Sequence, residues 1–255
     1  MSPGVTRDAI ALTKVPEVTL AFWMIKIAAT TLGETGGDAV SMSMHLGYLV
    51  GSEIFALVFL AAVALQIASS RFRPFVYWTT IIATTTVGTT LADFADRSLG
   101  IGYAGGTTIL VALLVASLIA WHRTLGSISI NTVSSPKAEL FYWVTIMFSQ
   151  TLGTALGDWT SSSLGIGYLG SAAVFGAMLA LLALAYYRTR LSRVYLFWAA
   201  FVLTRPLGAV VGDLLDKPVA LGGLDFSRAA ASAIILLFIV ASVSLIPQRA
   251  AERAH

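Results

Sequence analysis

Glu34 and Asp38 stand four residues apart in the stretch KIAATTLGETGGD, so a helix carries both carboxylates on one face. Three more aspartates, Asp93, Asp158 and Asp213, each close a stretch of the same design. One or two helical turns before these acids stand Thr30, Thr89, Thr154 and Gln150, together with two cations, Lys26 and Arg205. All of them lie in apolar surroundings. An ionisable group inside hydrocarbon is costly and points by default to an ion or proton pathway. Carboxylate and threonine oxygens are hard ligands that suit Mn²⁺, Mg²⁺ or Ca²⁺ better than soft metals. Five carboxylates against Lys26 and Arg205 leave a net charge of −3, which calls for a cation or protons because neighbouring carboxylates raise one another's pKa. Glu34 and Asp38 are the expected metal ligands, with Asp93, Asp158 and Asp213 sharing coordination or carrying protons. The competing expectation is structural: the acids neutralise Lys26 and Arg205 and take hydrogen bonds from the threonines.

The elements that hold these residues come in four copies. Each starts with an aromatic pair, Phe22-Trp23, Tyr77-Trp78, Tyr142-Trp143 or Phe197-Trp198. Ten residues after each Trp stands Gly33, Gly88, Gly153 or Gly208, and fifteen after it the aspartate. A period of this kind is a structural unit and is read before any local feature.

The chain has 255 residues, 57% of them hydrophobic and 11% charged, with a mean hydropathy of +0.82. A soluble domain of this length carries about 25% charged residues, so this composition belongs in a bilayer. There is no Cys, which excludes disulfides and thiolate metal sites. The pI near 9.3 does not imply nucleic acid, because the basic residues are scattered between apolar segments. There is no GxSxG, HExxH or phosphate-binding loop, so neither an enzyme nor a cofactor is expected. Residues 1–16 have no apolar core, so no cleavable signal peptide is expected.

A span needs about 20 apolar helical residues. Eight segments qualify, roughly 18–41, 48–69, 75–96, 103–122, 139–161, 168–187, 194–216 and 227–246. The fold class expected is all-α: a polytopic membrane protein with eight transmembrane helices from four parallel two-helix repeats. It forms a single membrane domain, with repeats at about 17–70, 72–123, 137–188 and 192–246 and a linker at about 124–136. The side with the inter-repeat loops holds Arg7, Lys14, Arg71, Arg73, Arg123, Lys137, Arg188, Arg190, Arg193, Arg249 and Arg253. The opposite side carries Arg97, Lys217 and Arg228. The positive-inside rule then puts both termini in the cytoplasm, and the aspartates about 22 Å away toward the outer side.

Six, ten and fourteen residues after each Trp, small residues recur: Ala29-Gly33-Gly37, Thr84-Gly88-Ala92, Ser149-Gly153-Gly157 and Thr204-Gly208-Gly212. Such stripes let helices approach closely in lipid. They predict that the odd-numbered helices form an inner bundle. The polar stripe lies about 100° from the small one and can also face inward.

Four tandem two-span units with an ATTLGETGGD-like core resemble the bacterial "repeat of unknown function" membrane proteins. The resemblance covers roughly 17–246 and is closest in repeat 1; repeat 4 departs from it at Arg205-Pro206 and Gly223. It implies eight spans in a bacterial inner membrane and carries no activity with it. The functional expectation therefore rests on the carboxylates: a secondary transporter of a hard divalent cation coupled to protons. A cation or small-solute channel and a structural or partner-binding membrane protein are the alternatives. The expected partners are the lipid bilayer, a cation or small solute, and in some settings further copies of the chain.

Overall fold

The computed structural model describes residues 13–251. Arg7 and Arg253, part of the topology argument, lie outside them. Among the described residues the chain forms eight long α-helices, in the order the hydropathy predicts. They are α1 (Leu20–Asp38), α2 (Gly47–Ala68), α3 (Pro74–Asp93), α4 (Tyr103–Leu125), α5 (Pro136–Asp158), α6 (Gly167–Arg188), α7 (Arg193–Asp216) and α8 (Arg228–Leu245). Thr19 and Ser135 cap α1 and α5 by accepting from the Phe22 and Ala138 amides. Pro74 and Pro136 open α3 and α5 at positions where a missing N–H costs nothing.

After Asp38, Asp93 and Asp158 the helix widens into one π-turn: Ala39–Ser43, Phe94–Ser98 and Trp159–Ser163. Each is closed by a bond five residues long, such as Met44 N to Ala39 O at 2.9 Å. The chain then reverses through two left-handed residues, Gly100 and Gly102 (φ 71° and 75°) in repeat 2, Gly165 and Gly167 in repeat 3. Repeat 1 places His45 (φ 57°) at the first of these positions. Repeat 4 has no π-turn: α7 runs to Asp216, past Pro206, and Lys217-Pro218 ends it.

The odd helices form a closed square. α1 packs against α3 and α7, and α5 against the same two. The even helices lie outside, but not on the helix they follow in sequence. α2 packs on α3, α4 on α5, α6 on α7, and α8 returns to cover α1. The inner bundle expected from the small residues is therefore present, and each outer helix is shared with the next repeat.

The close contacts repeat around the square. A Cβ added at Gly33 would meet Thr85, at Gly88 it would meet Gln150, at Gly153 Arg205 and at Gly208 Thr30. One turn on, Gly37 faces Thr89, Gly157 faces Ala209 and Gly212 faces Glu34. The small stripe of each helix thus bears on the polar stripe of the next. Thr85 and Thr89 of α3 donate to the Ala29 and Gly33 carbonyls of α1 at 3.2 Å, and Thr30 of α1 donates to the Thr204 carbonyl of α7 at 3.2 Å. Such side-chain bonds supply part of the adhesion that hydrophobicity cannot supply in lipid.

Five helices, α2, α4, α6, α7 and α8, are long and apolar enough to cross a membrane. α1, α3 and α5 have 19, 20 and 23 residues. They read as less apolar because their Thr, Gly and acidic residues face the interior, while the outer helices expose Leu57, Leu181 and Leu237. The protein is an all-α polytopic membrane protein.

Candidate functional site

Along the axis of the square, equivalent positions of the four repeats form layers. At the Trp end the aromatic pairs close into a ring of eight. Phe22 lies 5.5 Å from Trp78, Tyr77 5.8 Å from Trp143, Tyr142 6.3 Å from Trp198, and Phe197 5.8 Å from Trp23. The two rings within each pair are 5.0–5.5 Å apart, edge to face. Between neighbouring helices of the ring, α3 and α5, the Tyr77 and Tyr142 hydroxyls bond at 2.7 Å.

The segment expected as a linker covers this end. Ile128, Ile130 and Val133 are buried in the core, and Ile128 O accepts from Trp198 Nε1 at 2.9 Å. The chain before α1 and after α8 joins it through Lys14 N–Val133 O (3.1 Å), Glu17 N–Arg249 O (2.9 Å) and Ala251 N–Val15 O (2.9 Å). Lys14, read above as a topology signal, is buried and pairs with Glu139 at 2.6 Å.

The next layer holds Lys26, Ile81, Ile146 and Phe201, all buried. Lys26 corrects an expectation: among the described residues it pairs with no carboxylate. Its Nζ donates to Thr204 Oγ1 at 3.2 Å and sits 4.0 Å from the Phe201 ring centre. A cation over an aromatic face is attracted by the ring's quadrupole. One turn on are Thr30, Thr85, Gln150 and Arg205, all fully buried. Arg205 reaches toward the Asp end. Its Nη2 donates to Glu34 Oε2 at 3.0 Å, to Thr89 Oγ1 at 2.6 Å and to Thr154 Oγ1. The guanidinium thereby joins the layer of Glu34, Thr89 and Thr154, where repeat 4 itself offers only Ala209. Of the five acids expected to neutralise it, Glu34 is the one Arg205 pairs with. Among the described residues, Arg205 Nε and Nη1 and both polar atoms of Gln150 find no hydrogen-bond partner.

Asp38, Asp93, Asp158 and Asp213 form the last layer, all buried. Two cations that sequence reasoning assigned to the outer surface clamp them in pairs. Arg97 lies 2.7 Å from Asp93 and 2.9 Å from Asp158. Lys217 pairs with Asp38 and lies 3.0 Å from Asp213. Asp216, also buried, holds Arg228 at 3.0 Å, and Arg228 is 3.9 Å from Asp38. The signal for the clamps was present. Asp93–Arg97 and Asp213–Lys217 are four apart, which puts acid and base on one helical face.

This changes the charge count. Among the described residues, from the Lys26 layer to the Asp end seven buried carboxylates, Asp96 included, face Lys26, Arg205, Arg97, Lys217 and Arg228, so the expected net of −3 becomes −2. Two carboxylate triads remain close enough to share an ion. Oxygens of Glu34, Asp38 and Asp93 lie within 4.8 Å of one another, as do those of Asp38, Asp213 and Asp216. The first triad contains the two residues expected as metal ligands, and Thr89 Oγ1 donates to Glu34 Oε2 at 3.3 Å beside it. Asp158 stands outside both, paired to Arg97, and Thr154 and Gln150 lie one and two turns before it on α5. The Arg97 side chain is 34% exposed, so the Asp end is reachable from outside the bundle while the Trp end is covered.

No curated protein and no solved structure matches the chain. The repeat registers instead as four tandem matches, at residues 21–72, 76–127, 141–192 and 196–247. These matches take up most of its length, and the chain belongs to the family described as Repeat of Unknown Function (DUF347).

Proposed function

We propose that the protein is a secondary membrane transporter for a hard, Mn²⁺-like divalent cation, exchanged for protons. The observation that carries this reading is the convergence of Glu34, Asp38 and Asp93 from two helices into one buried cluster within 4.8 Å. Buried carboxylates with threonine oxygen beside them are ligands for hard cations. In the proposed cycle a divalent ion enters from the Asp end and takes over the charge that Lys217, Arg97 and Arg205 now neutralise. Protons then compensate the same carboxylates once the ion has left. Passage to the other side requires the aromatic ring to part. With both termini in the cytoplasm of a bacterial cell, the Asp end faces outward across the inner membrane.

A second reading has its own support. Every acid of the two triads already has a protein cation within 4 Å. A protein whose acids are internal staples would look the same. The test is Mn²⁺-dependent thermal stabilisation and proteoliposome flux for wild type, Glu34→Gln, Asp38→Asn, Asp93→Asn and Asp158→Asn. The transporter reading expects the first three variants to lose metal stabilisation and flux by tenfold or more, with Asp158→Asn affected less. Unchanged metal stabilisation in the combined Glu34→Gln/Asp38→Asn protein ends it. Flux that ignores an opposing proton gradient would make the protein a channel.

A further inference from the structure

The Trp-end half of α6 stands off the bundle. The buried residues of α6, Ser171 and Phe175, both lie in its first half. The repeat register puts Tyr186 of α6 where α4 has Trp121. Trp121 is fully buried, with its ring 6.2 Å from Tyr142 and 5.7 Å from Trp198, and it wedges between α5 and α7. Tyr186 is 37% exposed and meets Tyr187 instead. The equivalent space between α7 and α1 is open. It is a groove of about 540 Å³ walled by Trp23, Ile27, Leu179, Ala183, Phe197 and Ala200. Of the four repeat tryptophans, Trp78, Trp143 and Trp198 are buried and Trp23 is not.

Two features say what fits there. The groove runs along α7 from Arg193 to Thr204. Eleven helical residues span about 16 Å, the depth of one leaflet of a hydrocarbon core about 30 Å thick. Its surface end is basic and polar. Arg193 lies 4.1 Å over the Tyr186 ring and donates to the Tyr186 carbonyl, with Ser129 and Asn131 beside it. Arg188 and Arg190 are exposed on the same short connection. Basic pockets between transmembrane helices hold anionic headgroups, and a guanidinium matches phosphate geometry.

We propose that this groove binds one anionic glycerophospholipid. An acyl chain lies along Trp23, Leu179 and Phe197, and the phosphate sits at Arg193. The site is independent of the transport reading.

The experiment uses the full chain, stripped of lipid in detergent. It is offered phosphatidylglycerol, phosphatidylcholine or inorganic phosphate alone. Native mass spectrometry counts bound lipid, and acyl-brominated lipid reports quenching of tryptophan fluorescence. Phosphatidylglycerol should be retained at one per chain, with about a fivefold preference over phosphatidylcholine, and phosphate alone should not bind. Arg193→Gln should abolish the preference, and Arg71→Gln, at an exposed arginine away from the groove, should keep it. Ala183→Phe, or Ala180→Leu one turn away, should block retention of both lipids and the quenching, while melting without lipid stays unchanged. Equal retention of the two lipids by wild type, or full retention after either groove-filling change, overturns the proposal. Loss of preference in Arg71→Gln to the same degree as in Arg193→Gln does so too.

Discussion

Gly208 of α7 lies against Thr30 of α1 so closely that a Cβ at 208 would fall on the threonine side chain. This contact joins the last repeat to the first, and it has the same form as Gly33 on Thr85, Gly88 on Gln150 and Gly153 on Arg205. The polar stripe and the small stripe are therefore two halves of one joint, used four times.

Enlarging any of these glycines forces two helix backbones apart. Gly88→Leu and Gly153→Leu should each destabilise the protein by about 1–3 kcal/mol or more, the cost of overpacking a close contact. Leu181→Phe, on the exposed side of α6, should be nearly neutral. Thermal melting in detergent compares them. Similar melting for both classes would contradict the joint.

The Arg205–Glu34 pair is fully buried, so removing either partner strands the other. Glu34→Gln and Arg205→Met should each cost about 3–5 kcal/mol. The double variant should cost clearly less than the two summed, with a coupling of about 0.5–3 kcal/mol. Additive losses would show that the two side chains hold the fold through separate contacts.

His45 holds a left-handed conformation, at the turn position where repeats 2 and 3 place Gly100 and Gly165. Left-handed backbone costs a side-chain-bearing residue roughly 1–2 kcal/mol. Glycine gives part of that back through its freer unfolded chain. His45→Gly should therefore stabilise the protein by about 0.5–1 kcal/mol, read as a raised melting temperature with metal response unchanged. A lowered melting temperature would give the exposed imidazole a structural role.

The spacing Trp–Gly–Asp made the inner helices legible because each of them meets the same neighbour in the same way, so all four keep the same residues at the same steps. The outer helices carry no such mark. α2 and α6 are mostly apolar, and nothing in their order shows that they pack on α3 and α7, each the helix of the next repeat. Glu34, Asp38 and Asp93 were readable as a group because an acid in an apolar run has few roles. Their counter-ions carried one local signal, the four-residue spacing of Asp93–Arg97 and Asp213–Lys217, but Arg97 and Lys217 stand just beyond the apolar segments, where a basic residue ordinarily faces water. Lys26 was readable as buried but not as unpaired, since its threonine and phenylalanine partners come from α7, far along the chain. Lys14 and Glu139, a pair separated by 125 positions, gave no local signal at all.

The placement of α8 on α1 sets an order of assembly. α1 emerges first during synthesis yet receives its outer cover last, after every other helix has been made. Its joint to α7 stays open until α7 is made, so that the square is first an arc with two unsatisfied ends, and its lipid-facing side stays open until α8 is made. Such distant pairing is slow to form and leaves exposed surface that other chains can capture. The arc also has a natural place to be recut. The segment around Val15 already runs beside Ala250. Joining the chain there and opening it in the 126–135 connection would preserve every helix contact while moving the late closure from α8 on α1 to α4 on α5.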